Sequence, residues 1–392
     1  MKRVYLFSIV LLLLSACHHE ELCFYHPHKA RVKVDVDWSR FDKEDPTGMT
    51  VMIFPSDGGS SVSKVGHELG HATFDLLAGN YHTLTFNQSP SEFGSFSFRY
   101  MDSYHDAEVV TNTIGSRWYK SRSGSGRLAA DPEWFAVDSE AGACVTENMV
   151  EITRQEMANS SISRSLTEHP IASHTPQNVV YEVRVRVNIR GIHNLRSARA
   201  AFDGMAAGIK LATREPLEET VTHLMESWSL TKDAADPTKG YIESVFYCFG
   251  LPKGHQGLST DNKLMLSLLL VDNKTQLDRD FFVGDMMKLD EDGDLVINLE
   301  LDWGDGIAPD DPNHPDNPDN PDNPDNPDNP DNPDNPDNPD NPDNPDNPGK
   351  PDVPGGNDPG VLPDVKPEDG ASSGFDATVD DWGEEIEHDV NL

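Results

Sequence analysis

From Pro315 to Pro348 every third residue is proline, and Asp and Asn fill most of the positions between. Proline fixes φ near −65°, has no N–H to donate and disfavours the α region for the residue before it, so neither a helix nor a sheet ladder runs through such a stretch. The repeat is expected to favour polyproline II, with its aspartates on one edge repelling one another. At ~3.1 Å per residue its 34 residues would reach roughly 100 Å as a stiff spacer. It cannot form a core, so folding falls to the residues ahead of it. It also concentrates the charge. Of a formal net charge of −37, the stretch from Asp305 to Leu392 holds 26 acidic and 2 basic residues. Such a balance argues against nucleic acid as a partner, because phosphates would be repelled, and against adsorption to anionic lipid through a basic patch. The aspartate row has neither the cage nor the glycine turn of a calcium loop. Residues 305–374 therefore read as an acidic, Pro-rich, disordered extended linker, and 375–392 as a short acidic C-terminal segment. Apolar residues return within Gly374–Gly383, where Asp381-Trp382-Gly383 echoes Asp302-Trp303-Gly304. A strand-like end on a spacer could pair with a sheet edge, its own or another molecule's; the alternative is a disordered end with stray hydrophobics.

At the other end, Lys2 and Arg3 precede an apolar run from Val4 to Leu14, closed by Leu14-Ser15-Ala16-Cys17. A basic start followed by ~11 apolar residues is a secretory signal, too short to span a bilayer. Its end resembles a bacterial lipobox: small residues suit the signal peptidase, and the Cys17 thiol accepts a diacylglyceryl group. Residues 1–16 are thus expected to be removed, leaving a mature chain anchored to the outer membrane by lipid on Cys17. The acidic pair Glu20-Glu21 just after it resembles an export signal to the outer face of that membrane; retention on the periplasmic side is the alternative. With Cys17 acylated, Cys23, Cys144 and Cys248 remain. Cys144 and Cys248 can pair in an oxidising compartment or stay as free thiols, and the spacing supports no zinc site.

Between these ends the patterning is β. In Ala30–Trp38 apolar and charged residues alternate, placing Val32, Val34, Val36 and Trp38 on one face of a half-buried strand. Met49–Phe54 reads as a second strand, closed by the turn Pro55-Ser56-Asp57-Gly58-Gly59. Ala72–Leu77 and Tyr81–Phe86, joined by Ala78-Gly79-Asn80, read as a hairpin. Residues 87–176 show only long loops and a few short strands. Val179–Ile189 alternates again, with Tyr181, Val183, Val185, Val187 and Ile189 on one face. Gly204–Leu211 fits a strand or a short helix. Ser244–Phe249, Lys263–Val271, Asp280–Val283 and Asp294–Leu301 complete a set of strands separated by Pro, Gly, Asn and Asp. This spacing indicates an all-β chain of antiparallel sandwiches, divided near residue 170 into an N-terminal domain, 17–170, and a C-terminal one, 171–304.

One motif points to chemistry. His67-Glu68-Leu69-Gly70-His71 matches H-E-x-x-H, which on a helix puts both histidines on one face to hold Zn²⁺, with the glutamate activating a bound water. The reading is a zinc metallopeptidase. Against it, Phe74 and Leu77 stand where a longer pattern needs Gly and His, and Glu92, the carboxylate at suitable distance, lies in a loop. Glycines precede the motif and strand-like residues follow it. No metal or cofactor is therefore assigned. Asp290-Glu291-Asp292-Gly293-Asp294 suggests a calcium loop, but Leu295 and Leu301 occupy the turn-glycine and bidentate-glutamate positions. It reads better as the acidic turn of a hairpin between Phe282 and Ile297.

The lipobox with Cys17, then Glu20-Glu21-Leu22-Cys23 and His26, Val34–Trp38, Met52-Ile53-Phe54-Pro55, Leu76–Asn87 and the strand through Val187 to Asn194 together resemble Bacteroidota surface lipoproteins of an uncharacterised domain family related to the fimbrillin (major fimbrial subunit) superfamily. The resemblance runs from Cys17 to Trp303. It implies two tandem transthyretin-like β-sandwiches, no catalytic residues, and a role as adhesin or as fimbrial anchor or accessory subunit. The implied partners are fimbrial subunits or host and cell-surface ligands. The Pro-Asp-Asn tail departs from the family's short ending. A glycan-binding surface lipoprotein is a further alternative.

Overall fold

The computed structural model describes residues 28–41, 46–121, 126–159, 166–289, 295–296, 298–308 and 360–367. Cys17, Cys23, the Pro-Asp-Asn repeat, the acidic turn at 290–294 and the segment 374–383 lie outside them. Twenty-two strands occur among the described residues. In chain order they are β1 (Lys29–Val36), β2 (Met49–Pro55), β3 (Val62–Gly66), β4 (His71–Leu77), β5 (Gly79–Asn87), β6 (Phe96–Arg99), β7 (Glu108–Thr111) and β8 (Leu128–Ala129). There follow β9 (Ala136–Val145), β10 (His169–His174), β11 (Gln177–Asn178), β12 (Tyr181–Arg190), β13 (Leu195–Ala206), β14 (Gly208–Lys210), β15 (Thr220–Met225) and β16 (Ser229–Lys232). The last are β17 (Lys239–Cys248), β18 (Lys263–Leu270), β19 (Gln276–Phe282), β20 (Lys288–Leu289), β21 (Leu295–Val296) and β22 (Asn298–Asp302), and two helices, α1 (Arg117–Ser121) and α2 (Glu147–Asn159), interrupt the β structure. The fold is all-β.

The chain divides into two compact units, and the division is not linear: one comprises residues up to Thr85 plus Ser139–Pro176, the other Phe86–Asp138 plus everything from Gln177. The sequence expectation of one boundary near residue 170 differs from this by assigning the middle segment to the first domain.

In the first unit, β1 lies between β10, its parallel neighbour, and β4, its antiparallel one. Strands β3, β2, β5 and β9 form a second sheet in that order. The alternation read in β1 holds: Ala30, Val32, Val34 and Val36 are buried and pack with Val51, Ile53, Phe74, Leu76 and Val145. The expected hairpin between β4 and β5 is not formed. The two strands belong to different sheets, so Ala78 carries the chain across the core, and the Tyr81 hydroxyl donates to the Leu77 carbonyl at 2.9 Å. Both strands have one buried face, and facing each other across a core satisfies that as well as pairing does. Helix α2 was not legible in the sequence. Thr146 Oγ1 accepts from Met149 N at its start, and Arg154 and Gln155 hydrogen-bond to Glu151 one turn back. It docks on β1 through Thr153 Oγ1, which accepts from Arg31 N at 3.2 Å.

In the second unit, the sheet β16-β17-β12-β22 packs on β19-β18-β13-β15-β8. Val183, Val185, Val187 and Ile189 of β12 meet Phe202, Phe246 and the even-numbered leucines of β18, Leu264 to Leu270. Strand β18 is buried on both faces. Its other face, through Met265, packs with Trp118, Tyr119, Leu128 and Ala201. That is why residues 86–138 belong here: they cover apolar surface that a two-sheet sandwich would leave wet. At roughly 25 cal/mol per Å² of apolar area removed from water, such coverage favours this placement strongly. A cluster of Phe86, Phe93, Phe96, Phe98 and Phe135 continues the cover, with Phe96 edge-on to Phe249 at 5.7 Å. Gly204–Leu211 resolves as the end of β13 and β14, not a helix. Strands β20 and β21 pair antiparallel, Lys288 opposite Val296 and Leu289 opposite Leu295.

The outer edge of the β12 sheet is split. Strand β22 runs parallel to β12 from Asn298, opposite Arg184, to Asp302, opposite Asn188. Two residues further along β12, the neighbour is no longer Gly304 but Val361, again parallel, opposite Arg190. The Leu362 N–H donates to the Arg190 carbonyl at 2.8 Å, and the Leu362 side chain sits in the core, 2% exposed. Gly191 makes room for it: its φ is 78°, and a Cβ there would stand 2.7 Å from the Leu362 carbonyl oxygen.

Candidate functional site

The H-E-x-x-H segment does not form the helix its chemistry needs. Val62–Gly66 is β3, His71 opens β4, and His67–Gly70 is the turn between them. Spacing by four therefore gives no shared helical face. His67 Nδ1 lies 3.0 Å from the Thr47 carbonyl oxygen, while His71 sits near Glu68 and Glu168 at 3.5 and 3.9 Å. The turn is held by backbone: Trp38 Nε1 donates to the Leu69 carbonyl and Val36 N to that of Gly70. Glu92 belongs to the second unit, where its carboxylate accepts from Ser89 N at 2.8 Å. Among the described residues no group of three or more His, Cys, Asp or Glu side chains gathers to hold a metal ion. The metallopeptidase reading thus loses its helix, its face and its third ligand.

Cys144 and Cys248 are both free, the first exposed and the second buried. Of the two alternatives left open above, the structure has the thiols. Burial pushes the Cys248 thiol up to about 12, outweighing the bond from Gly250 N. It is an inert core residue.

A cleft of about 580 Å³ opens in the second unit where the chain leaves β17, lined by Tyr181, Glu215, Lys253, His255, Gln256 and Met287 among others. Its wall is the loop Gly250–Leu258, fixed by backbone bonds: Ala206 N donates to the Gly250 carbonyl at 2.9 Å and Lys253 N to the Leu217 carbonyl at 3.1 Å. His255 latches the loop internally. Its Nε2 is 2.9 Å from Asn262 Oδ1, and Gly257 N donates to its Nδ1 at 3.2 Å, a pair that fits the Nε2–H tautomer. Asp261 accepts from the backbone N–H of Gln256 and Leu258. Burial alone would raise its carboxyl, but these bonds outweigh it and lower it, so it stays ionised as an anchor. Gly250 has φ 93°, and a Cβ there would come within 3.3 Å of the Tyr181 ring, so only glycine lets this backbone pass the aromatic. The result is a fixed surface with an aromatic and apolar floor and a rim of carboxylate, ammonium and amide. Lys253 and Glu215 face each other at 3.4 Å. Such a surface can bind a polar ligand reversibly. Tyr181 was legible as part of its strand; the loop was not, because its three glycines and one proline mark only a separation between strands.

A buried histidine with a half-exposed carboxylate partner also escaped the sequence. His223, fully buried, has Nδ1 at 2.9 Å from Asp131 Oδ1 and stacks on Phe246 at 5.1 Å between ring centres.

The sequence profile of a family described as a domain of unknown function (DUF5119) matches residues 16–226. No curated protein matches the chain. Among solved structures, the chain is similar to an adhesin candidate from Bacteroides ovatus (TM-score 0.46, 14% identity, covering 70% of this chain and 93% of that one). It is also similar to the fimbrial anchor protein Mfa2 from Porphyromonas gingivalis (TM-score 0.40, 9% identity, 69% and 89%). A polysaccharide-binding candidate from Bacteroides thetaiotaomicron compares at a TM-score of 0.40 and 9% identity, covering 71% and 94%. At these values none of the likenesses carries chemistry from one protein to another. No helix among the described residues is long and apolar enough to cross a membrane.

Proposed function

We propose that this chain, which belongs to the DUF5119 family, is a non-enzymatic cell-surface protein held to the outer membrane by lipid on Cys17. Its role is that of an adhesin or of a fimbrial anchor or accessory subunit. The observation that carries the reading is the cleft of the second unit. Its loop is fixed by backbone hydrogen bonds and its aromatic floor lies open, which supports binding, not turnover. The run Leu14-Ser15-Ala16-Cys17 supports the anchor, and Glu20-Glu21 supports the outward-facing location. The strand-turn-strand backbone at residues 62–77 supports a non-enzymatic role, because it gives His67 and His71 no helical face to share.

Two experiments test it. Labelled palmitate should enter the wild-type chain and not Cys17→Ala, which should leave the membrane fraction; labelling that persists in Cys17→Ala removes the anchor. Cells displaying the protein should adhere to their target surface, and Tyr181→Ala with Lys253→Glu should lower that adhesion at unchanged display. Adhesion untouched by both substitutions removes the cleft. A glycan-binding role is the second reading, favoured by the Tyr181 ring at a polar rim. Loss of glycan-array binding in Tyr181→Ala supports it, and no binding by the wild type ends it.

A further inference from the structure

The loop that walls the cleft of the second unit is held by one imidazole. The His255 side chain is 9% exposed, with Asn262 Oδ1 2.9 Å from its Nε2 and the Gly257 N–H donating to its Nδ1 at 3.2 Å. Each contact has a fixed sense. The Asn262 amide nitrogen donates to the Asp203 carbonyl at 3.2 Å, which leaves its oxygen to accept from Nε2. Nδ1 faces a donor and must offer a lone pair. Only the neutral Nε2–H imidazole satisfies both partners. Protonation would set a second N–H, at Nδ1, against the N–H of Gly257, so that bond is lost.

The charge would also reach the rest of the loop. The anion beside Nε2 is Asp261 Oδ2, at 3.8 Å, and this same oxygen accepts from the N–H groups of Gln256 and Leu258 at 2.9 and 3.0 Å. An imidazolium draws on the oxygen that ties the loop down. The backbone there is free to respond. Gly254 and Gly257 flank His255 and Gln256 with φ of 94° and 72°, and a Cβ at either would meet nothing within 4 Å. Glycine takes such turns without strain, and open space lies beside both. All four residues line the cleft.

The other charged groups on the surrounding elements are Lys253 and Glu215, 3.4 Å apart at the rim, Asp203 on β13, Lys263 on β18 and Asp285 on the short turn Gly284–Met286. The Tyr181 phenol lines the cleft from β12. Of these side-chain types and Asp261, histidine is the one that ordinarily changes charge between about pH 5 and 8.

We propose that His255 is a pH latch on the cleft: the neutral imidazole holds Gly254–Gly257 in the form that walls it, and protonation in mildly acidic surroundings frees that segment. The closed wall is present at neutral pH and above and is lost as pH falls. A ligand seated against the wall leaves on acidification, a consequence that rests on the cleft being the binding surface. The latch itself does not rest on it.

The test is hydrogen–deuterium exchange of the full chain in detergent at about pH 7.5 and about pH 5.5, with times scaled for the intrinsic pH dependence of amide exchange. Peptides covering residues 250–258 should lose protection about five-fold or more at the lower pH, while those of β12 stay protected and show the fold intact. His255→Gln has no imidazole to titrate, so its loop should exchange equally at both values, and His255→Asn repeats the comparison with a shorter side chain. Two results would each overturn the proposal: equal protection of the wild-type loop at both pH values, or the same acid-induced loss in the two variants. No ligand enters these measurements. Adhesion indifferent to Tyr181→Ala and Lys253→Glu would remove the cleft as the binding surface and leave exchange to judge the latch.

Discussion

His223 Nδ1 lies 2.9 Å from Asp131 Oδ1, and the other oxygen of that carboxylate accepts from Tyr247 N at 3.2 Å. One side chain from the middle segment thus ties β15 to β17 within the second unit. Asp131→Ala leaves a fully buried imidazole without this partner, which should cost about 1–3 kcal/mol. Asp131→Asn, which keeps an acceptor oxygen, should recover part of it. Urea unfolding followed by tryptophan fluorescence measures both, and equal stability of the Ala and Asn forms would show that the bond contributes nothing.

Leu362 is separated from β22 by almost sixty residues yet is buried with Trp303 and Ile189 in the same core. Leu362→Ala should destabilise the second unit by about 2–4 kcal/mol, the range for truncating a packed leucine. A stop codon after Asp358 should do at least as much. Thermal melts that leave the wild-type midpoint unchanged in both would mean that the segment does not dock.

Cysteine reactivity should split cleanly. Cys144 is exposed and should alkylate quickly at neutral pH. Cys248 is buried with its thiol pushed up to about 12, so it should react only after denaturant is added. Peptide mapping after a short maleimide pulse reads this directly, and equal labelling of the two would contradict the burial of β17's end.

Glu226 is partly buried, and desolvation raises its carboxyl above the usual range despite the nearby Arg199 guanidinium, which pulls it down. A carboxyl raised in the folded state binds its proton more tightly there than in the unfolded chain. Its contribution to stability is therefore full at low pH and is lost as pH climbs from the ordinary carboxylate value through the raised one. Glu226→Gln should raise the melting temperature at pH 7 by about 1–2 °C, and the gain should vanish near pH 4. A gain that persists at pH 4 would assign the effect to something other than ionisation.

Much of the β structure was legible because half-buried strands leave a period-two trace. Strand β1 buries Val32, Val34 and Val36, and β12 buries Val183, Val185 and Val187, as alternation requires. The turn at 55–59 was legible for the chemistry of Pro, Asp and Gly. Helix α2 was not, because it fixes itself to β1 through a threonine, and no clean apolar stripe marks it. The cleft escaped for a related reason: its loop is held by backbone bonds to residues 206 and 217, which leave no mark on side-chain order.

The sequence by itself determined several of the strands, β1, β2 and β12 among them, that His67 and His71 stand in poor helical context, and that a proline at every third position disfavours helix and sheet over 315–348. These follow from local sterics and from which side chains avoid water. Only the tertiary structure decided which surfaces those strands cover. Strand β18 is apolar on both faces, so its sequence cannot say what lies above it; packing assigns Met265 to Trp118 and Tyr119. Strands β4 and β5 each have one buried face, and a hairpin or a crossing between sheets serves that equally until the core is assembled. The return of the chain to Arg190 is the extreme case. Val361 and Leu362 are two ordinary apolar residues in a Pro-rich stretch, and only the assembled core gives Val361 its bridge to Arg190 and Leu362 its buried place beside Trp303.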